Sequence, residues 1–427
     1  MSKTLRRCSC AVSITPAREQ LDKLVLLTVF RPNASFLVRV VDGLLVVLLS
    51  TNSLASEIIL YDSQSPGLVG EQGWLHVSTP FGEHTVTEQP GVLGTILDTR
   101  SPFGNRSGYF SVDPLFGILK HPAMRVMDRE LGYSVRFDLQ VLHEAHADGS
   151  WGDDNGDQIA DRAGFSVLAL SDDRYGIELG FWSELIWAQD DDWNGADRLF
   201  TQSERAEFDT SQRREYSLLV THDDYLLYSS CAGPILQGRL RNYTAFEGTL
   251  DPYEVSNFLF FGDNTTRAES MVELDGIRVA IHDFDADGTL SVADIQLLDA
   301  AVRAASDEPS FDLNGDGRLD QQDRAAWIHR VWRTSFGDAD LDGRFDSNDV
   351  VAVFVAGEYN DEYSMNSSWQ TGDWNGDGEF DNEDFVLAFV DGGYQVSAMI
   401  HAVPEPSSMM ISALSGLALR CCCRRRG

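Results

Sequence analysis

Residues 373–384 read Asp373-Trp-Asn-Gly-Asp-Gly-Glu-Phe-Asp-Asn-Glu-Asp384, and the same twelve-residue pattern occurs at 283–294, 312–323 and 338–349. Oxygen-bearing side chains stand at positions 1, 3, 5, 9 and 12 of every copy, and glycine stands at position 6. A hard cation takes about six to eight oxygen ligands, and glycine permits the sharp turn that wraps the chain around it. Four copies in register therefore predict four calcium-binding loops, numbered 1 to 4 in chain order.

The predicted Ca²⁺ ligands occupy the EF-hand positions 1, 3, 5, 7, 9 and 12, where position 7 offers its main-chain carbonyl. Position 8 is always apolar: Leu290, Leu319, Phe345 and Phe380. The predicted ligands are Asp283, Asp285, Asp287, Thr289, Ser291 and Asp294; Asp312, Asn314, Asp316, Arg318, Asp320 and Asp323; Asp338, Asp340, Asp342, Arg344, Asp346 and Asp349; and Asp373, Asn375, Asp377, Glu379, Asp381 and Asp384.

Position 12 is Asp rather than Glu in all four loops, and a helix-forming segment follows each loop, whereas no convincing amphipathic helix precedes it. This arrangement resembles the dockerin type I family over residues 282–396. The resemblance implies α-helical modules at 282–335 and 336–396 that dock onto a cohesin module of a partner, often in polysaccharide-degrading assemblies. Family recognition favours small hydroxyl residues at positions 10 and 11. Here these positions are Val292-Ala293, Gln321-Gln322, Ser347-Asn348 and Asn382-Glu383, so a purely structural stalk is the alternative.

The C-terminal segment 403–427 contains Pro404-Glu405-Pro406, an apolar run at 409–419 and a cluster of arginines at the end. This order resembles the PEP-CTERM sorting signal. The resemblance implies processing at Pro404, Glu405 and Pro406 by a membrane protease of the exosortase type. The apolar run is shorter than the roughly 20 residues that span a bilayer, which predicts a short hydrophobic helix and transient inner-membrane anchoring before processing. A disordered tail is the alternative.

Residues 1–55 are predicted to be a leader. The apolar run 43–49 precedes Ser53-Leu54-Ala55, the small-residue pattern that a signal peptidase requires, so cleavage is expected after Ala55. The region before Arg31 is long for a signal, which leaves the true translation start open. Both ends of the chain thus predict an exported protein of the cell surface or extracellular matrix.

The composition is strongly acidic, with a formal net charge of -34. Such a surface repels nucleic acid and anionic lipid and attracts divalent cations, so no nucleic-acid partner is expected, and membrane contact is expected only through the C-terminal segment. Cys231 is the one cysteine between the predicted leader and the tail. The sequence therefore offers no disulfide framework, and calcium is the expected stabilising cross-link.

Residues 56–281 are predicted to form a mainly β, two-sheet jelly-roll sandwich. Tyr133–Val141 alternates strictly, whereas Phe165–Leu170 is apolar on both faces and indicates a more deeply buried strand. The segments 216–220 and 225–228 flank a turn and indicate a hairpin, and 258–261 and 272–279 complete the series. The strand texture resembles the concanavalin- or laminin-G-like jelly roll of surface-anchored bacterial proteins.

A fifth calcium site is considered at Asp153, Asn155, Asp157 and Asp161, which repeat the oxygens of positions 1, 3, 5 and 9 but lack the glycine at 6 and the acid at 12. An ordinary acidic turn is the alternative. Three tryptophans, Trp182, Trp187 and Trp193, surround an acidic stretch and are candidate sugar-stacking rings, but the favoured interpretation is a core position for Trp182 and a solvated acidic loop.

No catalytic residue is predicted. His143 and His146 are one residue too close for a zinc-binding helix pair, and they follow an alternating strand. Glu273-Leu-Asp275 begins a paired-carboxylate strand of the glycosidase kind but lacks the closing Glu. The sequence thus predicts an exported, surface- or matrix-associated calcium-binding protein that binds glycan or extracellular matrix. The alternatives are a polysaccharide-degrading enzyme, with a glycoside hydrolase as the credible form, or a dockerin-borne subunit of such an assembly.

Overall fold

The computed structural model describes residues 27–31, 34–41, 44–50, 57–79, 87–100, 106–113, 120–147, 153, 156–193, 198–245 and 252–395. The chain divides into two compact units, residues 1–54 and 55–427. In the first unit, β1 (Leu27–Arg31), β2 (Ala34–Val41) and β3 (Leu44–Ser50) form an antiparallel sheet in that order. Most of the apolar run predicted as the core of a leader thus lies in strand β3.

The second unit begins with sixteen strands. They are β4 (Ile58–Asp62), β5 (Leu75–Thr79), β6 (Thr87–Pro90), β7 (Thr95–Asp98), β8 (Arg106–Phe110), β9 (Tyr133–His146), β10 (Ser166–Leu170), β11 (Tyr175–Trp182), β12 (Leu185–Trp193), β13 (Arg198–Glu207), β14 (Arg214–Thr221), β15 (Asp224–Ser229), β16 (Gly233–Arg239), β17 (Arg241–Asn242), β18 (Phe258–Asp263) and β19 (Ala268–Ile281). Sheet I has the order β13-β12-β11-β10-β18-β8-β5 with β17 beside β11, and sheet II has the order β16-β15-β14-β9-β19-β7-β6 with β4 beside β19.

The inner faces of the two sheets pack against each other around a cluster of aromatic rings. Phe137 of sheet II lies 5.9 Å from Phe181 and 5.4 Å from Phe261 of sheet I, measured between ring centroids. Edge-to-face contacts of this kind add to the free energy gained by burying the rings. The predicted mainly β, two-sheet sandwich is thereby confirmed. The predicted hairpin is β14–β15, and the predicted deeply buried strand is β10, all of whose residues are buried.

The four predicted calcium loops and their helices, residues 283–395, are called the calcium-loop region. This region follows sheet II without a linker: β19 ends at Ile281, and loop 1 starts at Asp283. His282 between them is buried: its N–H donates to the carbonyl of Gly132 at 3.1 Å, and its carbonyl accepts from the indole of Trp327 at 3.3 Å. We call this contact surface between sheet II and the loops the sandwich seam. No local pattern in the sequence indicates that these two parts pack together.

The sandwich seam covers polar residues of strand β9 that the sequence places on a solvent-facing side. The strict alternation of β9 predicts one polar, solvent-facing side, yet Ser134 and Arg136 on that side are buried. The Ser134 hydroxyl lies 3.0 Å from Nε2 of His282, and Arg136 donates to the main-chain carbonyl of Asp312 in loop 2. The polar face of β9 is therefore covered by the calcium-loop region rather than by water.

A helix follows each loop, as the sequence predicts. They are α1 (Val292–Arg303), α2 (Gln321–Ala326), α3 (Ser347–Ala356) and α4 (Asn382–Asp391), and a π-helical segment, Trp327–Trp332, continues α2. The two predicted modules, 282–335 and 336–396, share one hydrophobic core that includes Trp327 and Ile328 from the first and Trp369 and Trp374 from the second. The two modules therefore pack against each other around this shared core.

Loops 3 and 4 are joined by two equivalent β-bridges. The N–H of Gln395, after α4, donates to the carbonyl of Phe345 in loop 3 at 2.8 Å. The N–H of Asn360, after α3, donates to the carbonyl of Phe380 in loop 4 at 2.9 Å. Each loop is thus held by the segment that follows the other loop's helix.

The predicted processing residues Ala55, Pro404, Glu405 and Pro406, and the predicted C-terminal hydrophobic helix, lie outside the described residues. Within the described ranges, the longest helix has 12 residues and none is long and apolar enough to cross a membrane. Export, processing and membrane anchoring therefore stay predictions of the sequence.

Candidate metal centres

The four predicted calcium loops share one backbone turn. In each loop, the N–H of the position-6 glycine donates to Oδ2 of the position-1 aspartate, at 2.7, 3.0, 2.9 and 2.8 Å in loops 1 to 4. The position-6 glycines have φ of 88°, 78°, 87° and 97°, which is the left-handed region that side chains rarely adopt. The glycine that the motif requires is therefore explained by local geometry in every loop.

The position-12 aspartate closes each loop onto its helix. It is the third residue of the helix, and it accepts the N–H of position 9, at 2.7 Å in loop 1 and 2.8 Å in the other three. Position 9 is the N-cap in each case, so the two residues form a capping box. The same aspartate also accepts an N–H from position 2 or 3, which ties the start of the loop to the helix.

The donor set fits a hard cation. The carboxylates of Asp283, Asp285 and Asp287 in loop 1 each offer an oxygen within 4.8 Å of the others, and Asp338, Asp340 and Asp342 in loop 3 do the same. In loops 2 and 4 the position-3 ligand is an asparagine, which supplies a neutral amide oxygen. Oxygen-only donors suit calcium or magnesium rather than metals that prefer thiolate or imidazole.

Burial makes these carboxylates hard to charge without a cation. Desolvation is the main cause that raises the pKa of Asp294, Asp338 and Asp384 to about 6, and that of Asp323 and Asp373 to about 7. Hydrogen bonds from main-chain N–H groups act in the opposite direction but do not cancel the effect of burial. A bound divalent cation would restore the charged form.

Two arginines that the motif does not predict reach the loops. Arg136 of β9 lies 3.4 Å from the carboxylate of Asp312 in loop 2, and Arg303 of α1 lies 3.8 Å from that of Asp373 in loop 4. Each arginine is distant in sequence from the loop that it contacts, so no local pattern indicates either contact.

The fifth candidate site shares the backbone turn of the four loops. The N–H of Gln158, at position 6, donates to Oδ2 of Asp153, at position 1, at 2.7 Å, and Gln158 has a φ of 70°. Asp161, at position 9, is buried, and Asn155 lies outside the described residues. The fifth calcium site therefore stays a prediction of the sequence, with the acidic turn as its alternative.

The residues considered for catalysis have structural partners. Glu273 is almost fully buried and accepts the N–H groups of Leu93 and Gly94, at 2.7 and 3.0 Å, so it holds the turn between β6 and β7. His143 lies 3.7 Å from Glu269, and His146 lies 2.8 Å from Glu144, so the two histidines have different carboxylate partners. These contacts give each of the three residues a structural role.

The tryptophans considered for sugar stacking differ in exposure. Trp187 is buried, and the side chain of Trp193 lies outside the described residues. Trp182 is partly exposed, and its ring stacks on that of His146 with centroids 3.9 Å apart and planes inclined by 8°. Trp182 is therefore the candidate that retains some accessible ring surface, in contrast to the favoured core position.

Helices α3 and α4 expose apolar side chains at matching positions. Val351, Phe354 and Val355 stand two, five and six residues after the position-12 aspartate of loop 3, and Val386, Phe389 and Val390 stand at the same positions after that of loop 4. Their exposed fractions range from 49% to 80%. Large apolar side chains exposed in this way often mark a site of protein interaction. We call these six residues the apolar helix face.

Comparison with known proteins gives no assignment by sequence, because no protein-family model and no curated protein match this chain. Among solved structures, a carbohydrate esterase of the Shiga toxin-encoding bacteriophage phi24B is 13% identical, with a TM-score of 0.31, and covers 54% of this chain and 98% of its own. The carbohydrate-binding module CBM66 of Bacillus subtilis is 11% identical, with a TM-score of 0.26, and covers 49% of this chain and 95% of its own. Domain 4 of AbnA, an extracellular arabinanase of Geobacillus stearothermophilus, is 11% identical, with a TM-score of 0.29, and covers 53% of this chain and 93% of its own. TM-scores this low assign neither a family nor an activity to the chain.

The raised pKa values predict that calcium uptake releases protons. Near pH 6, chelator-treated protein should hold protons on carboxylates such as Asp323, and calcium binding requires these groups to ionise. Because the folded-state pKa lies above the unfolded value, the stability of chelated protein should fall as pH rises from about 4 to 7. Bound calcium lowers the same pKa values, so the slope should reverse.

Calorimetric titration of calcium at pH 6, in two buffers of different ionisation enthalpy, measures this release. We expect a clear dependence of the apparent enthalpy on the buffer at pH 6 and little dependence at pH 8, which serves as the control. Equal enthalpies in both buffers at pH 6 would contradict the prediction.

Proposed function

We propose that this chain is an exported, surface- or matrix-associated calcium-binding protein, in which four EF-hand-type, dockerin-like loops hold Ca²⁺ beside a jelly-roll sandwich that binds glycan. The observation that carries the calcium assignment is the identical turn of the four loops, with position 1 accepting the N–H of position 6 and position 12 capping the helix. The side chains of positions 1, 3, 5, 9 and 12 and the carbonyl of position 7 are the proposed ligands.

The free energy of burying these carboxylates supports the same assignment. Asp294, Asp323, Asp338 and Asp384 are fully buried, and Asp349 nearly so. A buried carboxylate is costly unless a charge or several hydrogen bonds compensate it. Several carboxylates within one loop also repel one another, and a divalent cation removes both costs. Calcium would therefore stabilise the loops, their helices and the core that the helices share.

Calcium should stabilise the full chain, and removing one ligand should remove part of this effect. A site saturated about hundredfold above its dissociation constant contributes about 2.7 kcal/mol to stability. Asp338→Asn should therefore lose about 2 to 3 kcal/mol of calcium-dependent stability. Asp172→Asn, at an exposed position in the sandwich, removes the same charge and should behave as wild type.

Thermal unfolding followed by circular dichroism, with calcium and with chelator, measures both effects. A melting temperature and helical signal that chelator leaves unchanged would refute the calcium assignment.

The proposal that the sandwich binds glycan is supported by the partial exposure of Trp182, because the faces of aromatic rings stack on the C–H surfaces of sugars. His146 covers one face of this ring and fixes its orientation, which lowers the entropy cost of stacking a ligand. The carboxylate of Glu273 is engaged in hydrogen bonds that hold a turn. We therefore propose that the sandwich retains a polysaccharide without cleaving it.

The sandwich should retain polysaccharide without shortening it. A glycan array identifies the ligand, and Trp182→Ala should weaken binding to it by about tenfold. Tyr175→Ala, at the opposite end of strand β11, is the matched control and should bind as wild type. Release of reducing sugar that Glu273→Gln abolishes would overturn this proposal and favour a glycoside hydrolase.

A second candidate function, docking of a cohesin-like partner, is favoured by the apolar helix face. The two helices present the same apolar positions, so the face suits a partner with an extended apolar surface. Exposed acids such as Glu383 flank it and favour basic residues at the partner's rim. The equivalent positions after loops 1 and 2 include the polar Gln296 and the buried Ile328, and none of them carries a large exposed apolar side chain.

Binding of a recombinant cohesin to the calcium-loaded full chain should therefore depend on this face. Val355→Asp and Val390→Asp each place a charge in the contact and should weaken binding at least about tenfold. Gln296→Asp, on the exposed side of α1, is the control and should have no effect. Concentration-dependent self-association without cohesin binding would instead assign the face to a second copy of the chain.

A further inference from the structure

The four loops look equivalent in sequence, but the structure divides them by the charge that faces position 1. In loop 2, Nη2 of Arg136 lies 3.4 Å from Oδ2 of Asp312 and also donates to the carbonyl of that residue. In loop 4, Nη1 of Arg303 lies 3.8 Å from Oδ2 of Asp373 and donates to the carbonyl of Gly376 at 2.7 Å. In the described part of the chain, the corresponding Asp283 of loop 1 and Asp338 of loop 3 form no ion pair.

Loops 2 and 4 each have a glycine at position 4 that lies close to another element. A Cβ added to Gly315, at position 4 of loop 2, would lie 2.9 Å from Cβ of Ser217 in sheet II. A Cβ added to Gly376, at position 4 of loop 4, would lie 2.6 Å from the guanidinium carbon of Arg324 in α2. Loop 2 therefore belongs to the sandwich seam, and loop 4 lies against the helices of the first loop pair.

The charge of the ligands does not divide the loops in this way. Loop 3 has aspartates at all five side-chain ligand positions, whereas loops 1, 2 and 4 have four each, because loop 1 has Ser291 at position 9 and loops 2 and 4 have an asparagine at position 3. Ligand charge is one of the properties that sets calcium affinity in loops of this kind. The arginines beside position 1 are therefore the feature that distinguishes loops 2 and 4 from loop 1.

We propose that the four loops form two affinity classes, in which loops 1 and 3 bind calcium tightly and loops 2 and 4 bind it weakly because Arg136 and Arg303 compete with the cation for the position-1 carboxylate. This inference rests on the proposed function, since it presumes that the loops bind calcium. The guanidinium already neutralises part of the carboxylate charge, and it repels a divalent ion placed on the other side of that carboxylate. Two like charges a few ångströms apart in a partly buried site weaken binding by about tenfold or more.

This arrangement places one tight and one weak loop in each pair. The tight loops would retain calcium when its concentration is low and keep both pairs folded. The weak loops would fill at higher concentration, and each of them contacts another part of the protein through its arginine. Occupancy of loop 2 is thereby coupled to the sandwich seam, because Arg136 also lies 3.7 Å from Glu57 at the start of the sandwich.

Isothermal titration of the full chain with calcium tests the two classes. Wild type should show two tight and two weaker sites. Arg136→Gln and Arg303→Gln should each move one site into the tight class, with a gain in affinity of about tenfold. Arg136→Lys and Arg303→Lys keep the positive charge, so the calcium affinity of their weak sites should stay closer to that of wild type than in the glutamine variants. Arg278→Gln is the matched control for Arg136, because Arg278 also pairs with Glu57 but does not contact Asp312.

Terbium luminescence assigns the change to the second loop pair. Trp374 is the position-2 residue of loop 4, and the indoles of Trp369 and Trp332 donate to main-chain carbonyls of loop 3, so indole-excited emission reports on loops 3 and 4. The weaker of the two terbium midpoints should fall about tenfold in Arg303→Gln, and neither should change in Arg333→Gln, which removes a guanidinium paired with Asp224.

The results separate the inference from the proposed function. If wild type binds four equivalent ions and neither glutamine variant gains affinity, the two-class inference is wrong while calcium binding stands. If wild type binds no calcium at millimolar concentration, the proposed function itself is wrong. Arg303 is partly exposed, so its variant keeps the test decisive should Arg136→Gln fail to fold.

Discussion

In every loop, the aspartate at position 1 accepts the main-chain N–H of the glycine at position 6. This hydrogen bond needs a buried carboxylate, and it needs a backbone conformation that glycine adopts at little cost. It bends the chain so that the side chains at positions 3 and 5 turn toward the same point, and it leaves position 12 free to cap the next helix. The four helices and their shared core follow from this turn.

The sandwich and the calcium-loop region are joined by continuous chain and by buried polar contacts. Strand β19 passes into loop 1 through the buried residue His282, and β9 lies under loop 2. A sheet face that would otherwise meet water instead buries Ser134 and Arg136 against the loops. Changes in loop 2 are therefore expected to reach the central strands of sheet II, which also contribute to the sandwich core.

The two loop pairs use their helices differently. In the first pair, Asp299 of α1 and Arg324 of α2 form a buried ion pair, and Ile328 of the π-helical segment packs in the core. In the second pair, Phe354 and Phe389 stand at the positions of Asp299 and Ile328, and both are exposed. A buried ion pair and its hydrogen bonds fix the packing of α1 against α2, whereas the second pair keeps an apolar surface that other molecules can reach.

The sequence by itself determined the features whose partners lie close in the chain. The loop turn joins residues five apart, the capping box joins residues three apart, and the β14–β15 hairpin closes over two residues, so pattern and spacing predict all of them. The buried strand β10 was predictable because its own side chains are apolar on both faces, which is typical of a strand covered on both sides.

Tertiary structure alone decided which loop meets an arginine, which strand face is covered and which acid holds a turn. Arg136 precedes Asp312 by 176 residues, Arg303 precedes Gly376 by 73, and Glu273 follows Leu93 by 180. No local period records such contacts, because they depend on how the sheets and loops pack as bodies. The same packing merges two predicted modules into one core, since the apolar residues of each pair are buried partly by the other.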